Sequence, residues 1–351
     1  MLPGMLASPG RPGRVTIYRA ATAIISIFVA AGCSSGAGSA ADGGSTAAGG
    51  GPLSGALAHV ADTSNNRSSI YFDDTAGLYR LTGPSPDYAK GFGVLIGLGA
   101  GSVAGYAQAL PDTGLDLAKE SFAITAGSPP ATLTLIDGGQ DAPRVTSHMT
   151  KLGWKPDGRA LAAPPLTAAA GSGSYFTLVM ATVRASGTDA AFSGTGADLT
   201  QIGSPAGPTL ATDPQVSALA ACLGAVVAAA FEVGRPAGPG SPAELAVGVR
   251  TPASGTAAPQ AVGCAAWPTE AAASQYAAAL HTALLTGKSV TGEPYATLLT
   301  QASVTAIGGG QHVVQWTAST PARADQVFQM LDNKDLPGLS TCAHPSVTGC
   351  H

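Results

Sequence analysis

The sequence predicts an α+β fold, with largely antiparallel sheets, helices on one face, and two ferredoxin-like halves as the arrangement. Three observations carry this reading. Runs of strand composition come in neighbouring pairs, single helices with clear start signals stand between them, and a strict βαβ alternation is not visible.

Taken in order, patterned sequence begins near Ala56, and SSIYFDDTAGLYRL reads as a strand or extended segment. Residues 91–126 are glycine-rich and then helix-like, with Gly101 and Gly105 weakening the helix and Pro111 interrupting it. Ala131 to Ile136 has strand composition. Gln140 to Leu152 has a helix's start signals, with Asp141 as cap, Pro143 in the first turn and Gly153 as the stop. Tyr175 to Arg184 (YFTLVMATVR) reads as a strand, with a partner near Ala191 to Ile202. Thr212-Asp213-Pro214 opens a helix through Leu223, ended by Gly224. Ala225 to Val233 and Glu244 to Arg250 follow as two strands joined by a Pro/Gly-rich turn. The C-terminal part repeats the grammar: a helix from Glu270 to about Leu285, strands at Gln301 to Ile307 and His312 to Ser319, and a helix opened by Thr320-Pro321.

The chain has 351 residues, enough for one large domain or two ordinary ones. Only 11% of residues are charged, so Ser, Thr, Gly, Ala and Gln must build much of the surface. The net charge of −4, with no basic run after the N-terminal region, lacks the electrostatic footprint that phosphate-backbone binding needs. Nucleic acid is therefore not an expected partner.

Arg11, Arg14 and Arg19 precede the apolar run AATAIISIFVAAG, the charged and hydrophobic regions of a secretory signal. The run is too short to span a bilayer, which needs about 20 apolar residues. It stops at Cys33, after which the chain turns Gly/Ser/Ala-rich. Residues 1–32 are read as a signal peptide, 33–55 as an anchored linker and 56–351 as an extracytoplasmic region, with subdomains at about 56–205 and 206–351. As a flexible coil the linker spans roughly 25 Å.

The tetrapeptide Ala30-Ala31-Gly32-Cys33 resembles the bacterial lipobox, departing from it in having Ala30 where leucine is usual. The resemblance implies cleavage before Cys33 and acylation of that cysteine, with several acyl chains, more than the single chain that gives only marginal anchoring. In its Ala/Gly/Pro/Thr-rich composition the chain also resembles cell-envelope lipoproteins of high-GC actinobacteria, a likeness that transfers no ligand and no active site. The implied localisation is the extracytoplasmic face of the cell membrane, held by a lipid anchor.

With Cys33 acylated, Cys222, Cys264, Cys342 and Cys350 remain, an even number that suggests disulfides outside the cytoplasm. Three connectivities are open. Pairing Cys222 with Cys264 and Cys342 with Cys350 closes the shortest loops, for about 4 and about 2.6 kcal/mol by chain entropy. The rival is a zinc site of Cys342, His344, Cys350 and His351, but the ligands lack the paired spacing of zinc modules. No metal or cofactor is expected.

Several motifs imitate chemistry. Gly99-Ala-Gly101-Ser-Val-Ala104 matches G-x-G-x-x-A, with Asp116 and Glu120 near the distance of a ribose-binding acid, but neither ends a second strand. Gly32-Cys33-Ser34-Ser35-Gly36 matches G-x-S-x-G, but it straddles the cleavage point rather than a strand-to-helix elbow. Thr286-Gly287-Lys288-Ser289 resembles a P-loop end, with Thr282 where the first glycine belongs. His59, His148, His281, His312 and His344 are scattered, and none has a partner at helical ligand spacing. Asp73-Asp74 point to opposite faces if in a strand and read as turn or salt-bridge residues. Trp154, Trp267 and Trp316 read as core anchors or as one apolar groove.

The expected function is a non-enzymatic binding or structural role in the envelope, toward an envelope protein, a lipid or a glycan. A cavity lined by Leu, Val and Trp would point to a lipid carrier. His148 or His312 beside a carboxylate and a serine in a cleft would point to a hydrolase with dispersed catalytic residues.

Overall fold

The structure is a computed structural model, and it describes residues 51–106, 109–166, 172–233, 242, 244–307 and 311–339. Cys33, Cys342, Cys350, His344 and His351, with the signal, the lipobox and most of the linker, lie outside the described residues. The described residues all belong to one compact unit, Thr46–His351.

Among the described residues twelve strands form one sheet. They are β1 (Ile70–Asp73), β2 (Phe122–Ala126), β3 (Leu133–Asp137), β4 (Lys155–Asp157), β5 (Ala160–Ala162) and β6 (Thr182–Ser186). The others are β7 (Asp189–Ser193), β8 (Val226–Val233), β9 (Glu244–Arg250), β10 (Gln260–Trp267), β11 (Thr300–Ile307) and β12 (His312–Ser319). Their order is β11-β12-β10-β9-β8-β1-β2-β3-β7-β6-β5-β4, and every pairing is antiparallel. Among the described residues ten α-helices accompany it: α1 (Pro52–Leu57), α2 (Ser64–Ser68), α3 (Thr75–Thr82), α4 (Leu110–Thr113) and α5 (Ala142–Lys151), then α6 (Ser172–Val179), α7 (Pro214–Leu223), α8 (Glu270–Thr286), α9 (Tyr295–Leu298) and α10 (Gln326–Asp332).

The α+β class with an antiparallel sheet is thus what the chain adopts, and two details within it are corrected. The first is the pair of ferredoxin-like halves. The strands run instead as meanders, β1-β2-β3 and β8-β9-β10, and the β1–β8 pairing fuses both expected halves into one sheet. The second is the single helical face. Phe72, Ile124, Leu135 and Phe231 pack with α1 and α7 residues such as Leu57 and Leu219. The alternate residues, among them Ala230, Val247 and Trp316, pack with Leu78 of α3, Leu280 of α8 and Phe328 of α10. Toward the other end, Ile136, Val183 and Phe192 meet Val145 and Met149 of α5 and Phe176 of α6. Side chains on a strand alternate between faces, so helices cover both. The reason lies in runs such as Val226–Val233, apolar at nearly every position, which suits a strand buried on two sides.

Local differences have equally local causes. Asp74 caps α3 by accepting from Gly77 N at 2.8 Å, so the expected extended segment stops at Asp73 and turns helical. The run Tyr175 to Arg184 is divided between the end of α6 and the start of β6, with Met180 and Ala181 at the joint. The C-terminal helix begins at Gln326 rather than at Thr320-Pro321, because Thr320 N is spent on Pro259 O. β2 and β10 lie in stretches that composition did not mark as strands; β10 (QAVGCAAW) is rich in the small residues that fit between two packed layers.

Candidate functional site

β3, β7 and β6 place three rows of side chains on the face shared with α1, beyond the reach of its helices. Leu135 pairs with Ala191, and Ala191 with Arg184. One step further along, Ser186 pairs with Asp189, and the β3–β7 register carried on by one residue sets Asp137 against Asp189. Over these strands lie His59, from the loop after α1, and Gly203 and Ser204. Arg159, from the β4–β5 hairpin, closes the rim. Together they enclose an open groove of about 480 Å³, with an apolar floor of Leu135 and Ala191 and polar walls.

The walls are held in place. His59 Nδ1 lies 2.6 Å from Gly203 O; a carbonyl only accepts, so Nδ1 carries the proton and Nε2 is the ring's remaining nitrogen. The ring also packs at 5.8 Å on Phe122. Arg184, half-buried, donates from Nη2 to Ile202 O at 2.7 Å, which leaves its other N–H groups uncommitted by that bond. Asp189 accepts from Gly138 N at 3.0 Å and from Thr188 Oγ1 at 3.2 Å, both on Oδ1. Asp137 is raised above the usual carboxylate range, first by burial and then by the charge of Asp189, with His59 opposing. Like charges directly opposed across strands are unfavourable, so this carboxylate pair is a charge arrangement that the fold tolerates rather than needs.

A second polar cluster lies on the opposite face. Thr75 Oγ1 is 2.7 Å from both Asp73 Oδ2 and Glu120 Oε1. One hydroxyl supplies one proton, so the second contact requires a protonated carboxyl. Asp73 also accepts from Gly99 N at 2.6 Å and Gly97 N at 3.3 Å, which makes it the carboxylate and Glu120 the acid. Burial pushes both upward, Asp73 to about 6, and the charge of Asp73 adds to the rise at Glu120. The amides of Gly97 and Gly99 therefore serve Asp73, while that of Gly101 donates to Leu98 O. A Cβ on Gly99 would meet Ala123 O at 2.1 Å, so this glycine is required by close backbone approach and not by a pyrophosphate. A smaller apolar cleft of about 280 Å³ opens nearby between Tyr79, Tyr88, Ile96, Leu110 and Leu115.

Of the residues singled out in the sequence, Cys222 and Cys264 form a disulfide joining α7 to β10. His59 enters the groove. His148 Nδ1 reaches the backbone oxygen of Asp112 at 3.1 Å, and His312 opens β12. Trp154, Trp267 and Trp316 are buried in the core, so they do not line a shared groove. Gly287 follows the end of α8, with Tyr295 N donating to its carbonyl. Among the described residues no group of three or more His, Cys, Asp or Glu could hold a metal ion, and no helix is long and apolar enough to cross a membrane.

The groove's Arg159, Arg184 and Asp189, with Asp137 beside Asp189, escaped the sequence reading because they come together only through strand pairing. The legible signal was Arg184 and Asp189, charges flanking a tight turn between apolar runs in a chain with few charges. Compared with family models, with curated proteins and with solved structures, the chain matches none.

Proposed function

We propose that this protein is a lipoprotein acylated on Cys33, held on the extracytoplasmic face of the cell membrane, with a non-enzymatic binding role in the envelope. The groove beside His59 is the binding site in this reading. The observation that carries it is the groove itself: fixed polar groups of both signs around an apolar floor, in a cavity whose size suits a small ligand. The Cys222–Cys264 disulfide, natural in an oxidising compartment, supports export. The hydrolase alternative asked for His148 or His312 beside a carboxylate and a serine, and His148 meets a backbone carbonyl instead. The lipid-carrier alternative asked for a cavity lined by Leu, Val and Trp, and the tryptophans are core residues.

Cell fractionation tests the placement. Wild type is expected to sediment with membranes and to be cleaved by protease added to intact spheroplasts, while Cys33→Ala is released into the soluble fraction. Protection from the protease in the wild type would overturn the reading.

A further inference from the structure

We infer that the groove beside His59 takes a small zwitterion, a free amino acid or short peptide, with its carboxylate on Arg184 and Arg159 and its ammonium between Asp137 and Asp189. The inference rests on the binding role proposed above and names the ligand class for that site.

The groove places opposite charges on a fixed frame. Arg184 and Asp189 project from the same face of neighbouring strands, two residues apart in the pairing, so the groove carries a cationic end and an anionic end about one residue repeat apart. At the cationic end, Arg184 is held through Nη2 by Ile202 O, and its guanidinium is already oriented when a ligand arrives. A carboxylate is the natural partner of a fixed guanidinium fork. At the anionic end, Asp189 is held through Oδ1, and Asp137, the residue just past the Ile136–Ala190 pair, lies close enough for its charge to interact with that of Asp189. That pair repels itself, and the charge of Asp189 adds to burial in holding Asp137 above the usual carboxylate range. A ligand ammonium between the two removes the repulsion and gains charge-assisted hydrogen bonds. The other titratable group that faces Asp137 is His59, whose charge opposes the shift. Between the ends the floor of Leu135 and Ala191 offers apolar contact for a small side chain. A ligand with one charge leaves the other end of the groove unanswered, which is why a zwitterion fits best.

Isothermal titration of the full mature chain in detergent decides the matter, with three probes: Ala-Ala, N-acetyl-Ala-Ala and Ala-Ala amide. Ala-Ala is expected to bind, and each blocked probe to bind about tenfold more weakly, the loss of one charge-assisted interaction. Asp189→Asn should erase the difference between Ala-Ala and its acetylated form, and Arg184→Gln the difference between Ala-Ala and its amide. Equal affinities for all three probes, or differences that survive both substitutions, would overturn the zwitterion while leaving the groove a binding site. No heat from any probe, with a melting profile showing folded protein, would overturn both. The anchoring by Cys33 is read separately and stands or falls on its own.

Discussion

Trp316 of β12 lies flat against Gly263 of β10, its partner in the sheet register, so closely that a Cβ on the glycine would stand 2.2 Å from the indole Nε1. The glycine is the space into which the ring fits. Gly263→Ala is therefore expected to destabilise the fold by about 2 kcal/mol through overpacking, and Gly263→Val by more. Urea denaturation measures both; a neutral Gly263→Ala would show that the ring can move aside freely.

The Thr75 bridge makes stability depend on pH in a definite direction. Asp73 and Glu120 have ordinary values of 3.8 and 4.5 in an unfolded chain, and both hold protons more tightly when folded. Above about pH 4 the folded state thus binds more protons than the unfolded state, and its stability falls as pH rises through about 6 and beyond. Glu120→Gln, which keeps a donor for Thr75 and removes the proton demand, is expected to flatten this slope and to gain on the order of 1 kcal/mol at pH 8. Melting temperatures from pH 4 to pH 8 read it, and an unchanged slope would move the proton elsewhere.

Thr75→Val removes the bridging hydroxyl and leaves a buried carboxylate short of a donor. The expected cost is about 2 to 3 kcal/mol, by chemical denaturation, with Thr75→Ser losing much less.

Joining residues 42 apart, the Cys222–Cys264 bond restricts the unfolded chain and contributes about 4 kcal/mol on the chain-entropy account. Cys222→Ala with Cys264→Ala is expected to lower the melting temperature markedly, and reduction of the wild type to lower it similarly once the buried bond is reached. A double variant as stable as the wild type would mean that the bond restrains nothing.

Asp213 was legible as a helix cap, and its carboxylate accepts from Gln215 N and Val216 N at 3.0 and 2.9 Å while pairing with Arg67 at 2.8 Å. Asp213→Ala is expected to cost about 2 kcal/mol, at the upper end for a cap, because the Arg67 partner is lost as well. Denaturation of Asp213→Ala beside Arg67→Ala separates the two contributions.

The same contrast explains what could be read in advance. Caps, stops and apolar runs act within a few residues, so α5, α7, α8, β8, β9 and the β11–β12 hairpin were visible from Asp141, Asp213, Gly224 and their neighbours. β10 was not, because its alanines and glycine acquire meaning only against Trp316 and Cys222. The single sheet escaped because the β1–β8 pairing joins segments some 160 residues apart, which no local pattern encodes. Cys222 and Cys264 were paired from the even cysteine count and the shortest loops, and they are bonded. The groove was hidden for the reason the sheet was: Asp137, Arg184 and Asp189 are neighbours across strands, not along them.

The most direct test of the account is intact and peptide mass spectrometry of the membrane-extracted protein, wild type beside Cys33→Ala. The account expects a chain beginning at an acylated Cys33 in the wild type, and loss of that modification in the variant. A wild-type chain that keeps residues 1–32, or begins at an unmodified Cys33, would contradict it.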